Sequence, residues 1–222
     1  MKRTGTLPIL IGMFDSPFVR RVAVSMRLLQ IDFAHHNWSV GKDFERIRQF
    51  NPLGRVPTLV LEDGSALIES AAILDYLDER AGSTKALLPV AGPQRQTALQ
   101  VMAIAVGAAE KAVLQVYETV FRPAEMRHEP WVTRCRMQMT AALDELEKRA
   151  AAVPRGAWLA GSRMTQADIT AACVFAFLDQ AVDLSQGNST YSALRATCAR
   201  CEALEEFQAF KVPFDKPAAP AS

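Results

Sequence analysis

The sequence predicts two units of different class: an α/β unit with a mixed sheet over residues 1–82 and an all-helical unit over residues 93–222, joined by a linker at 83–92. Three observations carry this. Short apolar runs and helical periods alternate up to Gly82 in the order strand, helix, strand, helix, strand, strand, helix (βαβαββα). Asp63-Gly64 puts a hairpin turn between the last two strands. Beyond Gly92 every apolar pattern has helical spacing. A right-handed crossover makes the first two strands parallel, and the hairpin makes the last two antiparallel.

In chain order, Leu7 to Gly12 is a short apolar run closed by glycine, which suits a buried strand. Phe18, Val22, Met26 and Leu29 then recur at helical spacing, leaving Arg20, Arg21 and Arg27 to face water. Ile31 to Val40 suits a second strand, on which adjacent His35 and His36 point to opposite faces and read as solvated or capping. Phe44 to Phe50 is a short charged helix stopped by Asn51-Pro52-Leu53-Gly54. Arg55 to Leu61 is a third strand met through Pro57, and Ala66 to Ile68 its hairpin partner. Glu69-Ser70 opens a helix ending at Gly82.

The helical unit reads as Pro93 to Arg122, Trp131 to Val153, a helix from Thr165 to about Ala181, then Tyr191 to Ala203 and Glu205 to Phe210, with a frayed tail from Lys216. Thr165 caps its helix, and Asp168 three positions on reaches back as in a capping box. That helix is so rich in Ala, Val and Phe that it should be the buried centre of the unit.

Composition narrows the function. Twenty-five Lys and Arg against 24 Asp and Glu give a net charge of +1, which offers no electrostatic case for nucleic acid. No uninterrupted apolar run is long enough to cross a bilayer and Met1 to Gly5 lacks a signal-peptide core, so a cytoplasmic location without membrane partners is expected. Cys135, Cys173, Cys198 and Cys201 are too few and too late for a disulfide scaffold. Cys198 and Cys201 have the spacing of a zinc or redox pair, but no second ligand pair accompanies them and they lie inside a helical pattern, so no metal site is expected.

The chemistry concentrates where the first strand meets the first helix. Ser16 sits at an N-cap and Pro17 at the first helical position. Free N–H groups and the positive end of the helix dipole favour an anion such as a thiolate there. On these residues alone, Ser-Pro is equally an ordinary cap.

Four motifs stand in order along the chain: Ser16-Pro17-Phe18-Val19-Arg20, Asn51-Pro52-Leu53-Gly54-Arg55-Val56-Pro57, Glu69-Ser70, and Thr165-Gln166-Ala167-Asp168. Together they resemble the cytosolic glutathione transferases, in the serine-type form, over nearly the whole chain. The resemblance implies a thioredoxin-like N-terminal domain and an all-helical C-terminal domain, a homodimer, and a role in detoxification. It implies glutathione as co-substrate, no other cofactor, and transfer of its thiol to the alkyl or aryl group of a small hydrophobic electrophile.

By the same resemblance Ser16 donates a hydrogen bond to the glutathione sulfur. The backbone of Val56 pairs with the cysteinyl portion beside Pro57, which in this family is cis. Glu69 and Ser70 hold the γ-glutamyl end, and Arg55, with Lys42 as a second candidate, meets the glycyl carboxylate. Met13, Phe14, Tyr117 and Phe121, with Val113, are candidates for the electrophile pocket, and read equally as core. Ser16 argues against the mixed-disulfide chemistry of cysteine-type members, and Asp15-Ser16-Pro17 does not match the Ser-Ser-Cys of zeta-like isomerases. A non-catalytic binding or regulatory protein on the same fold is the alternative.

Overall fold

The structure, a computed structural model, describes residues 7–154, 156–182, 184 and 190–216. Four three-residue strands form its sheet: β1 (Ile9–Ile11), β2 (Ala34–His36), β3 (Thr58–Val60) and β4 (Ala66–Ile68), in the order β2-β1-β3-β4. β1 and β2 run parallel, as the crossover requires, and β3–β4 antiparallel, as the hairpin requires, while β3 also pairs antiparallel with β1. The helices are α1 (Pro17–Leu28), α2 (Phe44–Arg48), α3 (Ser70–Ala81), α4 (Gly92–Phe121), α5 (Glu129–Ala152), α6 (Gln166–Ala181), α7 (Ser192–Glu202) and α8 (Glu205–Gln208). The strands are shorter than the apolar runs that announced them, because pairing lasts only where a neighbour runs alongside. The expected frayed tail lies, beyond Lys216, outside the described residues, as does the reading of Met1 to Gly5.

α6 is the centre of the helical part. Twelve of its 16 residues are buried, between α4, α7 and the N-terminal α1. Its capping box is formed: the Thr165 hydroxyl accepts from Ala167 N–H at 3.3 Å and the Asp168 carboxylate accepts from Thr165 N–H at 2.9 Å. Asp168 also takes the Leu159 N–H at 2.8 Å, so one carboxylate pins the preceding loop. One apolar core runs through both halves, from Leu10 and Leu59 of the sheet to Ala172 and Leu194 of the helices. The segment 83–92 takes part in it: Ala86, Leu87 and Leu88 are buried, with the N–H groups of Leu87 and Leu88 on the Asp78 carboxylate at 2.7 and 3.1 Å.

Three expectations change. α1 is not a surface helix: Arg20 and Arg21 are 5% and 1% exposed, because α6 and α8 cover the face that the apolar period left polar. Arg20 is compensated by a bidentate pair with Glu202 at 2.7 and 2.9 Å and by the Phe207 and Phe210 carbonyls. The histidines are half-buried packing groups: His35 stacks on Phe14 with ring centroids 3.9 Å apart, and His36 lies against Trp38. Finally, α4 is by length and composition apolar enough to cross a membrane, which a search for uninterrupted runs misses because Glu110 and Lys111 break the run. Here its alanines 98, 105, 108, 109 and 112 are buried, and the helix packs on α5 and α6.

All four cysteines are free and buried. Burial pushes the Cys173 thiol up to about 12 and those of Cys198 and Cys201 up as well, so they are unreactive core groups.

Candidate functional site

Gly12 sets up the site. Its φ of +131° is open to glycine, and a Cβ there would stand 2.8 Å from Val56 Cβ, so its absence lets the β1–α1 turn approach the loop before β3. After that turn, extended backbone at Ser16 (φ −68°, ψ 123°) and Pro17 at the first helical position start α1. Ser16 Oγ accepts from Val19 N–H at 3.4 Å. The cap uses a lone pair, and the hydroxyl hydrogen remains to be given elsewhere.

Ser16 lines a cleft of about 510 Å³ between the two halves. From the first half come Met13, Asp15, Trp38, Lys42, Arg55 and Val56; from the second come Val113, Tyr117 and Phe121 on α4, Phe177 on α6, and Phe214 to Lys216 of the C-terminal segment. The Val56-Pro57 peptide is cis, as expected. Neither the N–H nor the C=O of Val56 has a backbone partner among the described residues, which leaves a short free edge facing the cleft. Lys42 and Arg55 are exposed at its rim. Tyr117 packs edge-on against Phe121, centroids 5.1 Å apart, and burial pushes its phenol up.

Not every expected residue reaches the cleft. Phe14 does not line it; its ring is held between His35 and Phe210, at 3.9 and 4.9 Å, because the β1–α1 turn aims it into the core. Pro57 is buried beneath Val56. Glu69 and Ser70 lie outside the lining. Glu69 has φ +66°, a conformation that carries strain for a residue with a Cβ, and its carboxylate meets Arg55 at 3.2 Å. Arg55 and Glu69, expected at opposite ends of one ligand, therefore pair with each other here; both side chains are more than half exposed, so the pair is weak and readily exchanged.

Ser70 starts α3 and is 3% exposed. Its Oγ accepts from Arg21 Nη2 at 2.7 Å, and Arg21 Nη1 reaches Thr170 Oγ1 at 3.2 Å. Arg21 makes no ion pair among the described residues and its Nε has no partner. Burial lowers its guanidinium to about 10. A buried, uncompensated cation thus stands behind the first turn of α3, which favours an anion in front of it.

Sequence reasoning missed Asp15, Trp38 and the C-terminal wall. Asp15 adjoins Ser16, and its Oδ2 accepts from Asp215 N–H at 3.1 Å. Burial pushes its carboxyl up, the Asp215 N–H opposes this, and the Asp215 charge adds to it. Phe214 donates its N–H to Gln180 Oε1 at 3.0 Å and packs on Phe177. No local signal in a Pro- and Lys-containing tail points to residues 200 positions away.

This arrangement, a mixed four-stranded sheet with a free edge beside a serine-capped helix and an all-helical half across a cleft, defines the class. Residues 10–85 match the glutathione S-transferase N-terminal domain and residues 129–200 the C-terminal domain of the same family. The chain belongs to the glutathione S-transferase family. It is 32% identical over 138 residues to the uncharacterized GST-like protein YibF of Escherichia coli K12, covering 62% of this chain and 67% of that protein. A glutathione transferase family member from Pseudomonas fluorescens Pf-5, solved with bound glutathione, is 27% identical with a TM-score of 0.79, over 93% of this chain and 100% of that one. A glutathione S-transferase from Methylobacterium radiotolerans, in complex with glutathione sulfonate, shares the fold at a TM-score of 0.87 and 24% identity, over 98% and 100% of the two chains.

Proposed function

We propose that the protein is a serine-type glutathione transferase in which Ser16 holds the glutathione sulfur as a thiolate for attack on an apolar electrophile in the cleft. The observation that carries this is the Ser16 hydroxyl: it lines the cleft at the start of α1 with its lone pair used by Val19 N–H and its hydrogen free. A free thiol has a pKa near ~8.5, and populating the thiolate at neutral pH by lowering it ~2 units requires ~2.7 kcal/mol. A hydrogen bond to a charged acceptor supplies ~1.5–3 kcal/mol and a helix N-terminus ~0.3–1 kcal/mol, so Ser16 and α1 suffice.

The peptide pairs through the free edge of Val56, with its γ-glutamyl carboxylate at Ser70. The Oγ of Ser70 is occupied by Arg21, so the Ser70 N–H at the start of α3 is the donor to the carboxylate, and the Arg21 charge reinforces the site from behind. Glu69 takes the ammonium and releases Arg55 to the glycyl carboxylate, with Lys42 at the same rim. Val113, Tyr117 and Phe121 hold the electrophile. In substitution on an aryl halide the sulfur–carbon bond forms, the carbon–halogen bond breaks and halide leaves; the thiol proton has already passed to solvent. A role in detoxification, a cytoplasmic location and a homodimer are part of this proposal, and the family likeness supports them.

The purified protein should be retained on immobilised glutathione and should conjugate at least one of an aryl halide, an epoxide or an enal. Retention without turnover of any of them would favour the non-catalytic reading.

A further inference from the structure

A second cavity, of about 370 Å³, lies against the cleft on the far side of the C-terminal segment. Val116, Phe214 and Lys216 line both, so the two share a wall. On α4 the cleft takes Val113, Val116 and Tyr117 and the second cavity takes Gln115, Val116 and Thr119. These are neighbouring faces of one helix meeting at Val116. α6 repeats the division, with Phe177 in the cleft and Gln180 in the second cavity.

The chemistry of the two differs. Apolar side chains dominate the cleft wall, with Lys42, Arg55 and the shared Lys216 at its edge, whereas the second cavity is largely polar and holds Arg136 from α5 and Lys216 together with the amides of Gln115 and Gln180 and the Thr119 hydroxyl. No acidic residue is among the described residues that line it. Arg136 makes no ion pair or hydrogen bond among the described residues, although most arginines of the chain do. Arg136 and Lys216 are both exposed and both border this cavity, so a carboxylate entering it has two charged donors to accept from.

We infer that the second cavity takes the carboxylate of an electrophile whose apolar, reactive part lies in the cleft. The substrate class is then an apolar chain with an electrophilic carbon at one end and an anionic group at the other. This rests on the conjugation reading, and the experiment separates the two. Phe214, held by its N–H on Gln180 and its ring on Phe177, 5.5 Å between centroids, forms the shared wall with Val116, so the chain of such a substrate passes over the exposed rim where Lys216 borders both cavities.

The test pairs a linear enal with the same enal bearing a carboxylate at its far end. In either, the glutathione sulfur adds to the β-carbon, the double-bond pair moves towards the carbonyl, and the α-carbon takes a proton from water; nothing leaves. With wild-type protein kcat/KM should be at least ~10-fold higher for the carboxylate enal, the worth of one hydrogen bond to a charged group. Arg136→Gln should remove that margin and leave the neutral enal unchanged, and Arg136→Lys should restore part of it. Octanoate, which cannot react, should bind by calorimetry and lose ~10-fold in affinity with Arg136→Gln, while octanol binding should not change. A carboxylate enal with no margin, or a margin that survives Arg136→Gln, overturns the inference, and turnover of the neutral enal then still upholds conjugation. If neither enal reacts, turnover of an aryl halide or an epoxide still decides conjugation, and octanoate binding that ignores Arg136 overturns the anion site by itself.

Discussion

Ser16 does two jobs with one hydroxyl, and they are separable by measurement. As a cap it satisfies Val19 N–H, and its loss should lower stability by ~1 kcal/mol. As a donor to sulfur it should matter far more to the chemistry. Ser16→Ala is expected to keep glutathione binding but to raise the pKa of the bound thiol by ~1–2 units, slowing conjugation at neutral pH by ~10–100-fold. The rate should recover as pH rises and the thiol ionises unaided; a wild-type pH profile would make Ser16 a cap and nothing else. Arg21 acts at the other end of the peptide. With its guanidinium buried and unpaired behind Ser70, Arg21→Met should weaken glutathione binding by ~10-fold in calorimetry while leaving the bound thiol's pKa in place. A purely structural arginine would instead lower the melting temperature with no change in affinity.

At the scale of elements, two carboxylates stand out: Asp168 fastens the loop before α6, and Glu202 ties α7 to α1. Asp168 accepts from the Leu159 N–H, the Thr165 N–H and the Thr165 hydroxyl, so Asp168→Ala strands three buried donors. It should cost ~3 kcal/mol or more in urea unfolding, against ~1 kcal/mol for Thr165→Ala, which removes only the cap. Equal losses would mean that the capping box, not the pinned loop, is what matters. Glu202 closes over Arg20, and Glu202→Gln leaves that buried guanidinium with an amide oxygen and backbone carbonyls but no counter-charge. A loss of ~3 kcal/mol is expected, because an unpaired buried charge is worse than none. Glu202→Gln combined with Arg20→Met should regain much of it.

For the whole molecule, the homodimer proposed above is open to direct test. Light scattering should then report close to twice the 24.4 kDa of one chain at micromolar concentration. Leu99 on α4 and Val90 just before it, 44% and 63% exposed, are apolar groups such a contact could cover. Substituting both with Lys should shift the mass towards the single chain if they lie in the contact. The continuous core that joins sheet and helices argues that the two halves unfold together, in one transition.

The sequence by itself determined the element order, the hairpin, the parallel first pair of strands, the capping box at Thr165 and the buried centre at α6, because each follows from local spacing and turn chemistry. That Ser16, Val56 and Arg55 should meet came from the resemblance to a family, not from local spacing. Only the tertiary structure decided the rest. Arg20 and Arg21 look like a solvated helix face until α6 and α8 cover them; Phe14 looks like a pocket residue until its turn aims it at His35. Arg55 and Glu69, 14 positions apart, become an ion pair, and Asp215 closes on Asp15 across the cleft. Periodicity reports which side of an element is apolar. It cannot report which distant segment comes to lie on the other side, and that contact determines whether a charge is solvated, paired or left waiting for a ligand.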